Sequence, residues 1–303
     1  MSPSNLPIFR EALAWRQAGR AVAMASVVET WGSAPRPPGS RLVVDADGNF
    51  SGSVSGGCVE AEVISAALET MQTDAPRLLE FGVADETAWR AGLSCGGRVK
   101  IYVERVGASQ ARLLETLADE CAARRPCVLV TDIDSGEQRL VRADEADNDP
   151  LQDLIEVRMR QGRSALIRHA GRRLFFDVQA PSIRLFAIGA TDIAQTLAVA
   201  ADLAGFEVIV IDPRTAYATP ERFPKTPIAA EWPETALPGL GLDCYTAVAL
   251  LAHEPRIDDS ALGAALRAKC FVYRSARLPN NPRPAPRTDA RGRLFRGRAR
   301  TNP

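Results

Sequence analysis

The sequence predicts an α/β protein: a mixed α+β N-terminal domain followed by a doubly wound parallel sheet that is incomplete at its C-terminal end. Three observations predict it. From Arg184 the chain runs apolar strand, glycine turn, helix-periodic segment and second apolar strand ending on an acid, Asp212. That is the opening half of a nucleotide-binding sheet. Ahead of it, Arg98 to Val106 alternates with the period of two expected of a strand with one solvated face. Two glycine pairs, Gly56-Gly57 and Gly96-Gly97, each beside a cysteine, punctuate the first half where strands meet other elements. A chain of 303 residues is long enough for two domains with separate cores.

Taken in order, Leu6 to Gln17 reads as a helix with Ile8, Phe9, Ala12 and Leu13 on one face and Gly19 as its stop. Ala21 to Thr30 is a valine-rich run that suits a buried strand. The segment from Gly32 to Gly39 holds too much proline and glycine for either element. Arg41 to Asp45 and Phe50 to Val54 form short strands around an Asp47-Gly48 hairpin turn. Cys58 to Met71 is helical, with Val59, Val63, Ala67 and Met71 one turn apart. In Arg98 to Val106, Val99, Ile101 and Val103 face the core, while Lys100, Tyr102 and Glu104 face solvent. These elements make a first domain over residues 1–107. A connecting α/β region, 108–180, carries a helix from Ala111 to Ala122 and strands at Cys127 to Thr131 and Ala165 to Arg168. Ala180-Pro181 marks a boundary. The domain over 181–270 begins with a strand from Arg184 to Ile188, broken by Gly189. A helix from Asp192 to Ala204 follows, with Ile193, Leu197, Ala200 and Leu203 on its packing side. Next come a strand from Glu207 to Ile211, a later strand from Ala247 to Ala252 and a helix from Ser260 to Lys269. Residues 271–303 form an Arg- and Pro-rich tail without periodicity.

Composition excludes several functions. Thirty-seven basic residues balance thirty-seven acidic ones, so no global field attracts nucleic acid, although nine arginines after Cys270 face one acid, Asp289. No apolar run is long enough to span a bilayer, and Met1 to Arg10 lacks the pattern of a signal peptide, so the expected location is cytoplasmic. The six cysteines are scattered, without a C-x-x-C pair. Two histidines, His169 and His253, support neither a metal cluster nor a Ser/His/Asp arrangement, and no catalytic residue is assigned.

Three corners carry the chemistry. In Ser53-Val54-Ser55-Gly56-Gly57-Cys58-Val59-Glu60, glycines expose backbone amides just before a helix N-terminus, a geometry that binds anions and favours a thiolate at Cys58. A tight turn with a buried thiol is the alternative. Ser94-Cys95-Gly96-Gly97 repeats the pairing of thiol and glycines at the start of a strand. If both corners line one cleft, they offer amides to an anion and two soft sulfur ligands to a thiophilic centre. The third corner, Gly189-Ala190-Thr191-Asp192-Ile193-Ala194, matches the dinucleotide fingerprint at Gly189 and Ala194, with Asp212 near the ribose-binding position. Thr191 stands where the fingerprint needs a second glycine, so NAD(P) binding is weakened.

These residues resemble the XdhC/CoxI family. The N-terminal resemblance lies in Gly32-Ser33-Ala34-Pro35-Arg36, Gly39-Ser40-Arg41, Gly52 to Glu60 and Cys95-Gly96-Gly97. The C-terminal, Rossmann-like resemblance lies in the Gly189 corner, Ile211-Asp212-Pro213-Arg214, Pro220 to Pro224 and His253 to Asp259. The resemblance implies an accessory chaperone of molybdenum hydroxylases such as xanthine dehydrogenase and carbon monoxide dehydrogenase, rather than a turnover enzyme. It implies binding of molybdenum cofactor of the molybdopterin type, protection during its sulfuration and delivery to the large subunit of the apo hydroxylase. The expected partners include a cysteine desulfurase, and the expected assembly is a homodimer. On this reading the cofactor contacts are Arg36, Ser55, Gly56, Gly57, Cys58, Glu60, Cys95, Gly96, Gly97, Gly189 and Asp212. The amides take the phosphate, Arg36 and Arg41 add charge, and Cys58 and Cys95 meet the molybdenum. The alternatives are a Rossmann-type NAD(P)-dependent oxidoreductase and a cysteine-based sulfur-transfer protein with persulfide on Cys58.

Two departures stand out. Thr191 and Asp192 replace the Gly and His of many relatives. After Cys270 the family pattern of a strand and a Gly-Ala-Leu-Gly-Ser-Arg turn is missing. Codons compatible with Val272 to Pro284, read one base later, spell S-I-G-A-L-G-S-R-T-T-H-A. The tail therefore reads as out-of-frame translation, or as a basic disordered segment suited to an acidic partner.

Overall fold

The computed structural model describes residues 5–82 and 97–274. They fall into two compact units that divide after Ser182. Among the described residues no helix is long and apolar enough to cross a membrane.

In the first unit, α1 (Leu6–Gln17) leads into β1 (Val22–Trp31), β2 (Arg41–Asp45) and β3 (Phe50–Gly52), followed by α2 (Glu60–Thr73), β4 (Arg77–Phe81) and β5 (Arg98–Arg105). The strands form an antiparallel sheet in the order β3-β2-β1-β5-β4. One face buries Ala23, Ala25, Val27, Leu42, Ile101 and Val103 under Val63, Ala67 and Met71 of α2. The chain then adds α3 (Ala108–Ala122), β6 (Cys127–Asp132), β7 (Gln138–Arg142), α4 (Gln152–Gln161), β8 (Ala165–His169) and β9 (Arg172–Gln179). Its four strands make a second antiparallel sheet in the order β7-β6-β9-β8, with α4 anchored on it by Ile155.

The other face of the first sheet is covered as well. Met24 and Val43 pack with Phe9 of α1 and Leu117 of α3, while Val28 and Tyr102 meet Ile133, just past β6, and Phe175 of β9. This corrects the solvated face expected for β5: Tyr102 and Glu104 are buried, because a second layer lies where the alternation implied water. Arg41 is likewise no site residue. Its guanidinium is buried, ion-paired to Asp177 of β9 and stacked 5.2 Å from the Phe9 ring centroid, so β2 and β9 are tied by charge through the middle of the unit.

The second unit comprises β10 (Arg184–Ile188), α5 (Asp192–Leu203), β11 (Glu207–Ile211), β12 (Ile228–Ala229), α6 (Pro233–Leu240), β13 (Thr246–Leu250), α7 (Pro255–Arg267) and β14 (Phe271–Arg274). All pairings are parallel, in the order β12-β11-β10-β13-β14, so strand order reverses between β10 and β13. Continuous apolar runs suit strands covered on both faces, here by α5 on one side and by α6 and α7 on the other. Two corrections follow. Phe271–Arg274, assigned from sequence to the tail, is the fifth strand. α5 packs through Ala194, Ala198 and Ala201, not through Ile193, Ala200 and Leu203. Small residues let the helix axis approach the sheet, and the bulkier side chains turn outward, Leu203 being 83% exposed.

Candidate functional site

Two of the N-terminal motif segments and Gly97 of the third meet at one end of the first sheet. Gly97 lies so close to the end of β1 that a Cβ there would be 3.0 Å from the Trp31 carbonyl oxygen and 3.1 Å from that of Ser33. The loop after β1 also reaches the glycine corner, where a Cβ on Gly56 would lie 3.9 Å from Pro35. Gly56 and Gly57 have φ of 82° and 112°, a left-handed backbone that needs glycine. Cys95 and Gly96, the other half of the expected Cys58–Cys95 pairing, lie outside the described residues.

The glycine corner differs chemically from the anion site expected of it. The Glu60 carboxylate turns back from the first turn of α2 and accepts hydrogen bonds from the backbone N–H of Val54 (3.2 Å), Ser55 (2.9 Å), Gly56 (3.1 Å) and Gly57 (2.8 Å). The hydroxyls of Ser53 and Ser55 donate to it too. Ser55 Oγ in turn accepts from the N–H of Cys58 and Val59, both at 3.0 Å. Every amide from 54 to 59 is therefore held by one of two side chains. Burial pushes the Glu60 carboxyl up, but the hydrogen bonds from Ser55, Ser53 and Gly57 outweigh it and bring the group down to about 2. The corner is a nest that already contains its anion. Ser55 and Glu60 thus shape the loop, and these amides are not open to a phosphate.

Capping also moves the thiol. α2 begins at Glu60, not at Cys58, because Ser55 and Glu60 satisfy the amides ahead of it. Cys58 is a free cysteine just before the helix, half-buried against the core under α2. Arg36 is half-buried on the neighbouring loop, with no ion pair among the described residues. Sequence reasoning missed what Glu60 does. A carboxylate on the first turn after a run of small residues was the available signal, since such a run presents donors that an acid can gather.

In the second unit, Gly189 has φ of 104°, and a Cβ there would lie 2.5 Å from the Ala252 nitrogen, so only glycine lets the ends of β10 and β13 come this close. Asp212 is fully buried. It accepts from Ala190 N–H (2.7 Å), from Arg214 N–H and Nε (both 2.9 Å) and from Arg214 Nη2 (2.7 Å). Burial raises its pKa, but these donors, Arg214 first, bring it below the ordinary range. Thr191 caps α5 by accepting from Ala194 N–H at 3.3 Å. Arg222 spans the same corner, donating to the Ala190 carbonyl and to Asp192, both at 2.8 Å. The amide and acid that a dinucleotide would use are therefore bonded to each other. His253 follows β13 in a left-handed conformation with φ of 55°. Among the described residues no group of three or more His, Cys, Asp or Glu side chains is placed to hold a metal ion. A cleft of about 440 Å³ between α6 and α7, floored by Leu237, Leu242 and Ala264, shares no residue with this corner.

Comparison with known proteins agrees with the motif pattern. The family model described as the XdhC and CoxI family matches residues 15–82, and that of the XdhC Rossmann domain matches residues 185–276. The chain is 27% identical over 248 residues to a probable xanthine dehydrogenase subunit of Bacillus subtilis (strain 168), covering 79% of this chain and 74% of that one. It is 28% identical over 272 residues to the molybdenum cofactor insertion chaperone PaoD of Escherichia coli (strain K12), covering 89% and 71%. A crystal structure described as a xanthine dehydrogenase from Bacillus halodurans shares the fold, with a TM-score of 0.65 at 20% identity over 90% of this chain and 82% of the other.

Proposed function

The chain belongs to the XdhC and CoxI family, and on that premise we propose that it serves the maturation of a molybdenum hydroxylase of the xanthine dehydrogenase or carbon monoxide dehydrogenase type. It takes up molybdenum cofactor as cargo and shelters it while a cysteine desulfurase supplies sulfur. It then hands the cofactor to the large subunit of the apo hydroxylase, working as a homodimer. The observation that carries this reading is the similarity, along most of the chain, to a relative named as a molybdenum cofactor insertion chaperone.

The donor set fits one end of the cargo. Cys58, a half-buried free thiol beside two glycines, suits a soft metal-and-sulfur centre. The amides of 54–57 do not suit the phosphate, because Glu60 holds them, and that charge falls to Arg36. At the Rossmann corner the Ala190 N–H is bonded to Asp212, which favours this reading over an NAD(P) oxidoreductase.

The test is retention. Purified protein is incubated with cofactor released from a molybdoenzyme, then desalted and assayed for molybdenum. The parent is expected to retain it. Cys58→Ala is expected to retain at least about tenfold less, since groups one shell further out already cost that much at metal sites; Cys95→Ala is assayed beside it. Equal retention by Cys58→Ala removes that thiol from the reading, and no retention by the parent removes the reading itself.

A further inference from the structure

With the amides of 54–57 turned inward, recognition at this end of the first unit falls to the side chains around the corner. Trp31 stands at the head of the loop after β1, whose Pro35 adjoins Gly56. It ends β1 with 42% of its surface exposed, although burying an indole would be favourable. Its backbone is fixed from two sides, by pairing with Arg98 on β5 and by the close approach of Gly97 to its carbonyl. The ring is oriented too. The Lys100 ammonium lies 4.8 Å from the ring centroid, drawn to its π-face, and is itself held by Glu29 at 3.1 Å and Glu80 at 4.0 Å. A solitary exposed aromatic needs no explanation. This one is clamped by a cation and starts the loop that joins Gly97 to Gly56.

We propose that Trp31 is a binding residue of this site: a stacking surface for the flat pyrimidinone ring of the cargo's pterin, with Lys100 holding the indole in place. The proposal rests on the preceding reading for the identity of the cargo and adds the residue that recognises its ring rather than its metal or its phosphate. A flat heteroaromatic presents a polarisable face to the indole, and the two stack in an offset arrangement. An aromatic stack of this kind is worth about tenfold in affinity or more.

The experiment uses the full chain with 6-carboxypterin, which shares the pyrimidinone ring but has neither molybdenum, dithiolene nor phosphate, followed by the anisotropy of the pterin's own fluorescence. Trp31→Leu keeps apolar bulk without a stacking face, and Trp31→Phe keeps the face. Thermal melts check that both fold. Trp31→Leu is expected to bind about tenfold more weakly or worse, and Trp31→Phe close to the parent. Parent-like binding by Trp31→Leu, or equal losses in both variants, overturns the proposal and leaves cofactor retention by the parent standing. A parent that retains molybdenum yet binds no pterin at millimolar concentration also overturns it. A parent that retains no molybdenum overturns the functional reading, and this proposal with it.

Discussion

Ser55, between β3 and α2, and Glu60, the first residue of α2, hold six consecutive amides, from Val54 to Val59. Hydrogen bonds to a charged acceptor contribute about 1.5–3 kcal/mol each, and an unmet buried donor costs about 1–3 kcal/mol. Glu60→Ala leaves three of these amides, those of Val54, Ser55 and Gly57, without an acceptor, Gly56 keeping the Ser53 hydroxyl at 2.9 Å, and is expected to lower stability by about 2–4 kcal/mol in urea unfolding. Glu60→Gln should fall between parent and Glu60→Ala, because one end of its amide is itself a donor. The Glu60 carboxyl is held down to about 2, so its contribution is present above the ordinary carboxylate range and fades as pH falls towards 2. The glycines, the thiol and the acid were all legible in the sequence as a corner of unusual chemistry. Their partners were not: sequence shows that free amides exist, whereas the acceptor that takes them depends on how the chain folds back.

Among the elements, α1 matches its sequence-predicted limits because an apolar stripe and a glycine stop agree. β10 and β11 match because continuous apolar runs bounded by glycine leave little choice. α4 escaped notice because Ile155 is its one buried side chain, too little to make a stripe. β9 holds Leu174, Phe175 and Phe176 in a row, which reads as neither period, since its residues are buried on both sides of the sheet. The face of α5 was misread because hydrophobic size outweighed fit: alanines are what lets this helix approach the strands. Ala198→Leu should therefore cost about 1–3 kcal/mol by overpacking, and Leu203→Lys should stay within about 0.5 kcal/mol of the parent. Chemical denaturation of the two variants distinguishes the packed face from the outward one.

At the scale of the whole molecule, the first unit holds a buried acid in a layer the sequence left open to water. Burial lifts Glu104 to about 7, against two hydrogen bonds from Gln138 and the charge of Arg41, with Tyr102 and Asp132 close by. Its folded pKa exceeds the unfolded one, so the folded state binds the extra proton. That stabilisation is complete below the ordinary carboxylate range and is lost as pH rises through about 7. The parent should melt higher at pH 6 than at pH 8, and Glu104→Gln should flatten that part of the profile in calorimetry. The fold class was legible from patterning; the layer that buries Glu104 was not, because period-two alternation is the same whether the second face meets water or another sheet.

The tie between Arg41 and Asp177 has a consequence for excision. A fragment cut after β5 keeps the guanidinium, set between Phe9 and Met24, but discards the carboxylate that neutralises it. Taking away the paired carboxylate together with the sheet that covers this face is a large loss for a small fold. The smallest autonomous piece of the N-terminal half therefore extends through β9, and the stretch after β5 is structural masonry, not a tether.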